Sequence, residues 1–218
     1  MFVKICGTTS EDDALLAVAM GADAVGFIFA PSPRQIAPQK AADIVKRLPS
    51  EIMTVGVFRN EAPQRVVEIV QAAGLRGAQL HGRESAEQAT WVRRRIPWLM
   101  QAFAAGDARV SAAATWGADA ILLDAPNPGS GQVFDWALAS EVPGGQRLVI
   151  AGGLNPGNVA AAVAQTKPWG VDVVSGVEKT PGQKDPVKLR AFIAAARAAE
   201  PDDGWQPDSS GPYDWQEG

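Results

Sequence analysis

The chain has 218 residues, 46% hydrophobic and 20% charged, a composition that supports a sizeable core and excludes a disordered or fibrous polypeptide. Its net charge of -4 argues against a nucleic-acid partner, which needs a basic face, and points to small molecules instead. One cysteine, Cys6, excludes an intramolecular disulfide, and one histidine, His81, leaves no thiolate or imidazole cluster for zinc.

In chain order, β-rich apolar runs occur at 2–6, 24–29, 52–58, 77–80, 98–103, 120–124, 147–151 and 170–175. Between them, 10–20, 38–48, 62–73, 85–95 and 186–199 carry apolar residues at helical spacing, while 110–116 and 134–139 show that spacing only weakly. Ser10 with Asp13 marks a helix start, Asn155-Pro156 reads as an N-cap followed by proline at the first helical position, and Pro186 marks another start. Strand and helix alternate, which predicts parallel strands joined by right-handed crossovers, and eight units favour closure into a (β/α)₈ TIM barrel. The barrel is expected to be a single catalytic domain over residues 1–200. After Glu200 the chain turns rich in Pro, Gly, Asp and Ser without periodicity, so 201–218 is expected to be a disordered, flexible acidic tail. The start of the chain lacks an apolar run after basic residues, and nowhere do about 20 apolar residues follow one another, so a cytoplasmic location is expected.

Catalytic groups of a parallel barrel sit at the C-terminal ends of its strands. The first such end is KICG, where Lys4 and Cys6 share one strand face by the period of two. Cys6 reads either as a small buried hydrophobe or, beside a cation such as Lys4, as a base with a lowered pKa. The sixth strand ends in Asp124, either a turn cap or an acid. Asp172, inside the eighth strand, faces either substrate or Lys4 in a salt bridge. Gly152-Gly153 and Ser175-Gly176 follow strands seven and eight, where bare backbone N–H groups can cradle a phosphate without a lysine. Arg34, in the loop after strand two, can grip a carboxylate through its fork of donors. His81, ending strand four, reads as a hydrogen-bonded supporting residue and is left out of the catalytic set.

Taken together, KICG at 4–7, GADAVGFIF at 21–29, SPR at 32–34, VGVF at 55–58, QLHG at 79–82, ILLD at 121–124, GSG with FDW at 129–136, AGGLNP at 151–156 and SGVE at 175–178 resemble the phosphoribosylanthranilate isomerase family of tryptophan biosynthesis. The resemblance implies an Amadori rearrangement of N-(5′-phosphoribosyl)anthranilate to its 1-deoxyribulose isomer, with no metal or organic cofactor. It implies Asp124 as general acid and Cys6 as general base, Arg34 on the anthranilate carboxylate, and Asp172 near the substrate. Gly131, Gly152, Gly153, Ser175 and Gly176 would form the phosphate cradle. Two departures stand out: Val174 replaces a serine common before SG, and the loop reads PGSG where GGTG is usual. A histidine-pathway aminoaldose isomerase would use two aspartates, against which Cys6 argues, and an indoleglycerol-phosphate synthase type would need a Lys and Glu pair. A non-catalytic barrel that merely binds a phosphorylated ligand would not need Cys6 and Asp124. The expected partner is a small phosphorylated substrate, with no nucleic acid or membrane, and the chain is expected to be a monomer or homodimer.

Overall fold

The computed structural model describes residues 1–126 and 133–200, so Gly131 and the expected tail lie outside the described residues. Eight strands, β1 (Phe2–Ile5), β2 (Ala24–Ile28), β3 (Met53–Phe58), β4 (Gly77–Leu80), β5 (Trp98–Ala104), β6 (Ala120–Asp124), β7 (Leu148–Ile150) and β8 (Gly170–Val173), close into one barrel in chain order. Every neighbouring pair is parallel, and β1 pairs with β8 to complete the ring. Around it pack α1 (Glu11–Ala19), α2 (Pro38–Val45), α3 (Pro63–Ala72), α4 (Ala86–Arg93), α5 (Val159–Thr166) and α6 (Pro186–Ala198). A short hairpin, β9 (Glu178–Thr180) with β10 (Gln183–Lys184), follows β8. Among the described residues no helix is long and apolar enough to cross a membrane.

The strand period of two sorts side chains into two cores. Val3, Ile5, Val25, Phe27, Leu99, Ile121 and Leu123 face the helices in one large cluster. Phe2, Met53, Val55, Trp98, Met100, Leu122 and Val149 fill the lower barrel interior in another. The interior positions one step further along β1, β4 and β8 are Lys4, Gln79 and Asp172, all buried. The barrel is therefore plugged by apolar side chains at its base and by polar ones toward its C-terminal mouth.

Local signals hold at most helix starts. Ser10 Oγ accepts from Asp13 N, Ser85 and Gln88 form a reciprocal capping box, and Asp185 caps α6 ahead of Pro186. The Asn155-Pro156 cap is corrected: Asn155 Oδ1 accepts from Gly157 N and Asn158 Oδ1 accepts from Asn155 N, so a side-chain-closed turn precedes α5, which starts at Val159. After β5 and β6 the chain forms 3-10 helices, Val110–Trp116 and Trp136–Glu141. Val110, Ala113 and Trp116 are the buried residues of the first. Their spacing of three suits a 3-10 helix and explains the weak α-helical pattern there.

Candidate active site

A cleft of about 950 Å³, its open mouth included, lies at the C-terminal end of the barrel, as expected for this architecture. Cys6, Arg34, Gln79, His81, Asp124, Gly152, Gly153, Asp172 and Ser175 line it. The separate strand ends that the sequence singled out therefore converge. Gly176 is not among the lining residues: a Cβ there would sit 1.9 Å from the Leu154 carbonyl oxygen, so this glycine lets the β7 and β8 loops touch.

Cys6 lies just past β1, held by its N–H to Val173 O at 2.9 Å and by its carbonyl, which accepts from Lys184 Nζ at 2.6 Å. Gly26, beside it on β2, makes room for the sulfur, since a Cβ there would come 2.5 Å from Sγ. Gly26→Ala is expected to displace the thiol and destabilise by about 1–3 kcal/mol, as overpacking does. Thermal unfolding would then show a drop of roughly 2–12 °C for a chain of this size.

The register opposes Lys4 to Asp172, and Lys4 Nζ donates to Asp172 Oδ1 and to Gln79 Oε1, both at 2.9 Å. Burial works against the Lys4 charge, but Asp172 and Cys6 outweigh it, and the lysine pKa is raised. Burial also pushes the Cys6 thiol up; the Lys4 ammonium opposes this without overcoming it. A lowered thiol pKa, one of the two sequence readings, is thus corrected, because the sulfur is removed from water as well as placed near a cation. Of the two readings of Asp172 the salt bridge to Lys4 is present, and the residue also lines the cleft.

Asp124 Oδ1 accepts from Ala125 N at 2.7 Å. Its Oδ2 lies 3.2 Å from His81 Nε2, an ion-pair distance, yet that nitrogen is buried without a well-directed hydrogen-bond partner. We read the contact as close but misaligned. Gly152, at φ +74°, allows the Asp124 carboxylate to lie against the β7 loop, where a Cβ would meet Ala125 N at 2.5 Å and Asp124 Oδ1 at 2.9 Å.

Arg34 reaches over Gly7, where a Cβ would stand 2.8 Å from its Cδ. Its Nε and Nη2 hold Glu178 from one side, at 2.7 to 3.0 Å. That side-on pair leaves the Nη1 edge of the fork for another carboxylate. Glu178 in turn accepts from Lys184 Nζ at 3.2 Å and from Gly182 N at 3.2 Å. Burial tends to raise the Glu178 pKa, but Arg34 and Lys184 hold it below the usual carboxylate range. For Lys184 the balance is reversed, burial lowering its pKa against Glu178 and Cys6. Gly152 and Gly153 both have positive φ, +74° and +65°, and Ser175 opens the 3-10 turn Ser175–Val177 across from them. Backbone N–H groups exposed in turns of a cleft are the kind of donors that can hold an anion.

The sequence reading left out Gln79, Glu178 and Lys184, which hold the named residues in place. Gln79 could have been found from QLHG, where it shares a strand face with His81. Nothing local pairs Glu178 with Arg34, which lies 144 positions away.

The chain matches the family described as PRAI, N-(5′-phosphoribosyl)anthranilate (PRA) isomerase, over residues 3–195. It is 48% identical over 204 residues to the N-(5′-phosphoribosyl)anthranilate isomerase of Desulforudis audaxviator, covering 90% of this chain and 98% of the relative. The crystal structure of phosphoribosyl anthranilate isomerase from Thermus thermophilus superimposes with a TM-score of 0.85 at 40% identity, covering 91% of this chain and 99% of that one. A second solved phosphoribosyl anthranilate isomerase, in complex with reduced 1-(o-carboxyphenylamino)-1-deoxyribulose 5-phosphate, matches with a TM-score of 0.80 at 38% identity over 91% of this chain and 99% of its own.

Proposed function

The chain belongs to the N-(5′-phosphoribosyl)anthranilate isomerase family, and from that membership we propose how its cleft carries out the reaction. It is an aldose–ketose isomerase of tryptophan biosynthesis. The observation that carries the residue assignment is the convergence of the Asp124 carboxyl and the Cys6 thiol on a single cleft at the barrel mouth.

Asp124 protonates the furanose ring oxygen; the C1′–O bond breaks as the anthranilate nitrogen lone pair forms the C1′=N Schiff base. Cys6, as thiolate, removes the C2′ proton, and the C2′–H electrons move into C1′=C2′ while the imine electrons return to nitrogen. The enolamine then tautomerises to the 2′-ketone, taking a proton at C1′. The iminium is the electron sink, so the protein needs only positioned proton-transfer groups. Lys4 stands beside the sulfur and favours its anionic form when the proton leaves, and Asp172 keeps that ammonium in place while facing the sugar. Gly152, Gly153 and Ser175 hold the phosphate through backbone N–H groups, and the free edge of Arg34 holds the anthranilate carboxylate. Gly131 is proposed for the same cradle on the resemblance alone. The cytoplasm, which keeps Cys6 reduced, fits this chemistry.

The direct test is loss of anthranilate-type fluorescence when freshly made phosphoribosylanthranilate meets the purified protein. Turnover supports the assignment; an inactive protein that instead accepts the phosphoribosyl aminoimidazole aldose overturns it. Arg34→Lys keeps the charge but not the fork, and one group cannot span Glu178 and a substrate carboxylate together. Loss of a charge-assisted pair of about 1.5–3 kcal/mol predicts a rise in KM of roughly 10- to 100-fold with a smaller change in kcat. Steady-state kinetics in which kcat falls and KM holds would remove Arg34 from substrate binding.

A further inference from the structure

From Asp172 to Asp124 runs a chain of largely buried polar side chains that the proton transfers alone do not require. Asp172 Oδ1, Lys4 Nζ and Gln79 Oε1 follow one another at 2.9 Å per step, and Gln79 Nε2 lies 2.8 Å from His81 Nδ1. His81 Nε2 then faces Asp124 Oδ2 at 3.2 Å. Gln79 is only 1% exposed, so no bulk water competes for its amide.

The donor and acceptor roles along this chain are forced from one end. An ammonium has only donors, so the Gln79 carbonyl oxygen must face Lys4 and its NH₂ must face His81. Nδ1 of His81 therefore accepts, and the proton of the neutral ring sits on Nε2. That N–H is buried, 3.2 Å from the acid's carboxyl, and without a hydrogen-bond partner in the free protein.

We propose that Gln79 is a positioning residue that fixes His81 as the Nε2–H tautomer, so that this N–H completes a hydrogen bond to Asp124 once the carboxyl has passed its proton to the sugar. With Ala125 N already on Oδ1, the carboxylate left on Asp124 then has a donor on each oxygen. The opposite tautomer would aim a bare nitrogen at Asp124 and compete with the ring oxygen for its proton. Catalytic hydrogen bonds that are misaligned in a free enzyme tighten in its complexes, which fits the 3.2 Å separation. The inference rests on Asp124 being the acid.

The single histidine makes the test direct, because protein labelled with nitrogen-15 in its imidazole gives one Nδ1 and one Nε2 resonance. The parent is expected to show a pyridine-type Nδ1 and a pyrrole-type Nε2. Gln79→Glu, which accepts from both neighbours, is expected to move a proton onto Nδ1. Gln79→Leu is expected to mix the tautomers and lower kcat by about tenfold or more, with KM within about threefold. A parent with Nδ1 protonated overturns the proposal, as does a Gln79→Glu spectrum like the parent's. So does unchanged kcat in a Gln79→Leu protein whose tautomer has shifted; if that variant does not fold, the parent and Gln79→Glu spectra decide. Activity retained by Asp124→Asn beside an Nε2–H parent spectrum would sink the acid assignment and leave the tautomer standing.

Discussion

Asp124→Asn is expected to lower kcat about a hundredfold to ten-thousandfold, the usual worth of a positioned general acid. The amide is nearly the same size, and its oxygen can still accept from Ala125 N, so the fold has little reason to respond. What it loses is the acidic proton that must reach the furanose oxygen before the ring opens. Its NH₂ would also face the N–H of His81 Nε2, two donors in contact, so the carboxamide restores neither half of the acid's job. Fluorescence kinetics with circular dichroism on the same sample separates lost chemistry from lost structure. A variant with more than about a tenth of parental kcat would return Asp124 to a turn cap.

Cys6→Ser should cost a similar hundredfold to ten-thousandfold, because a serine hydroxyl does not ionise in the accessible pH range. The sign of the pH dependence follows from the raised thiol pKa. Burial holds the proton on Cys6 and the base works only once it has left, so the raised thiol pKa moves the pH dependence that Cys6 contributes to kcat/KM to the alkaline side of the ordinary thiol range. That contribution should vanish in Cys6→Ser. A Cys6→Ser profile with the same alkaline pH dependence as the parent's would contradict Cys6 as the titrating base. The neighbouring Lys4–Asp172 pair stays intact in the variant, so a large loss of stability is not expected.

Eight apolar runs with glycine-bearing ends and intervening helical periods were enough to determine the barrel, because parallel strands buried on both faces leave that pattern in the chain. The period of two likewise put Lys4 with Cys6 on a common face. Those statements are local, and the structure agrees with them.

Three matters lay beyond the chain's own order. Asn155 was placed at a helix start by a local rule, but the turn it closes delays α5 to Val159, which depends on how Asn158 folds back. The direction of the Cys6 pKa shift depended on weighing burial, helped by Asp172, against the Lys4 and Lys184 ammonium groups, and burial is a property of the assembled barrel. Partner choice across distance was also invisible: Arg34 could be named as a carboxylate grip, but not that Glu178 already holds one side of it. What the sequence by itself determined was the architecture, and it named the residues proposed here as the reacting groups. Only closure of the barrel, which sets β8 beside β1 and β4 across from both, decided which side chains surround them.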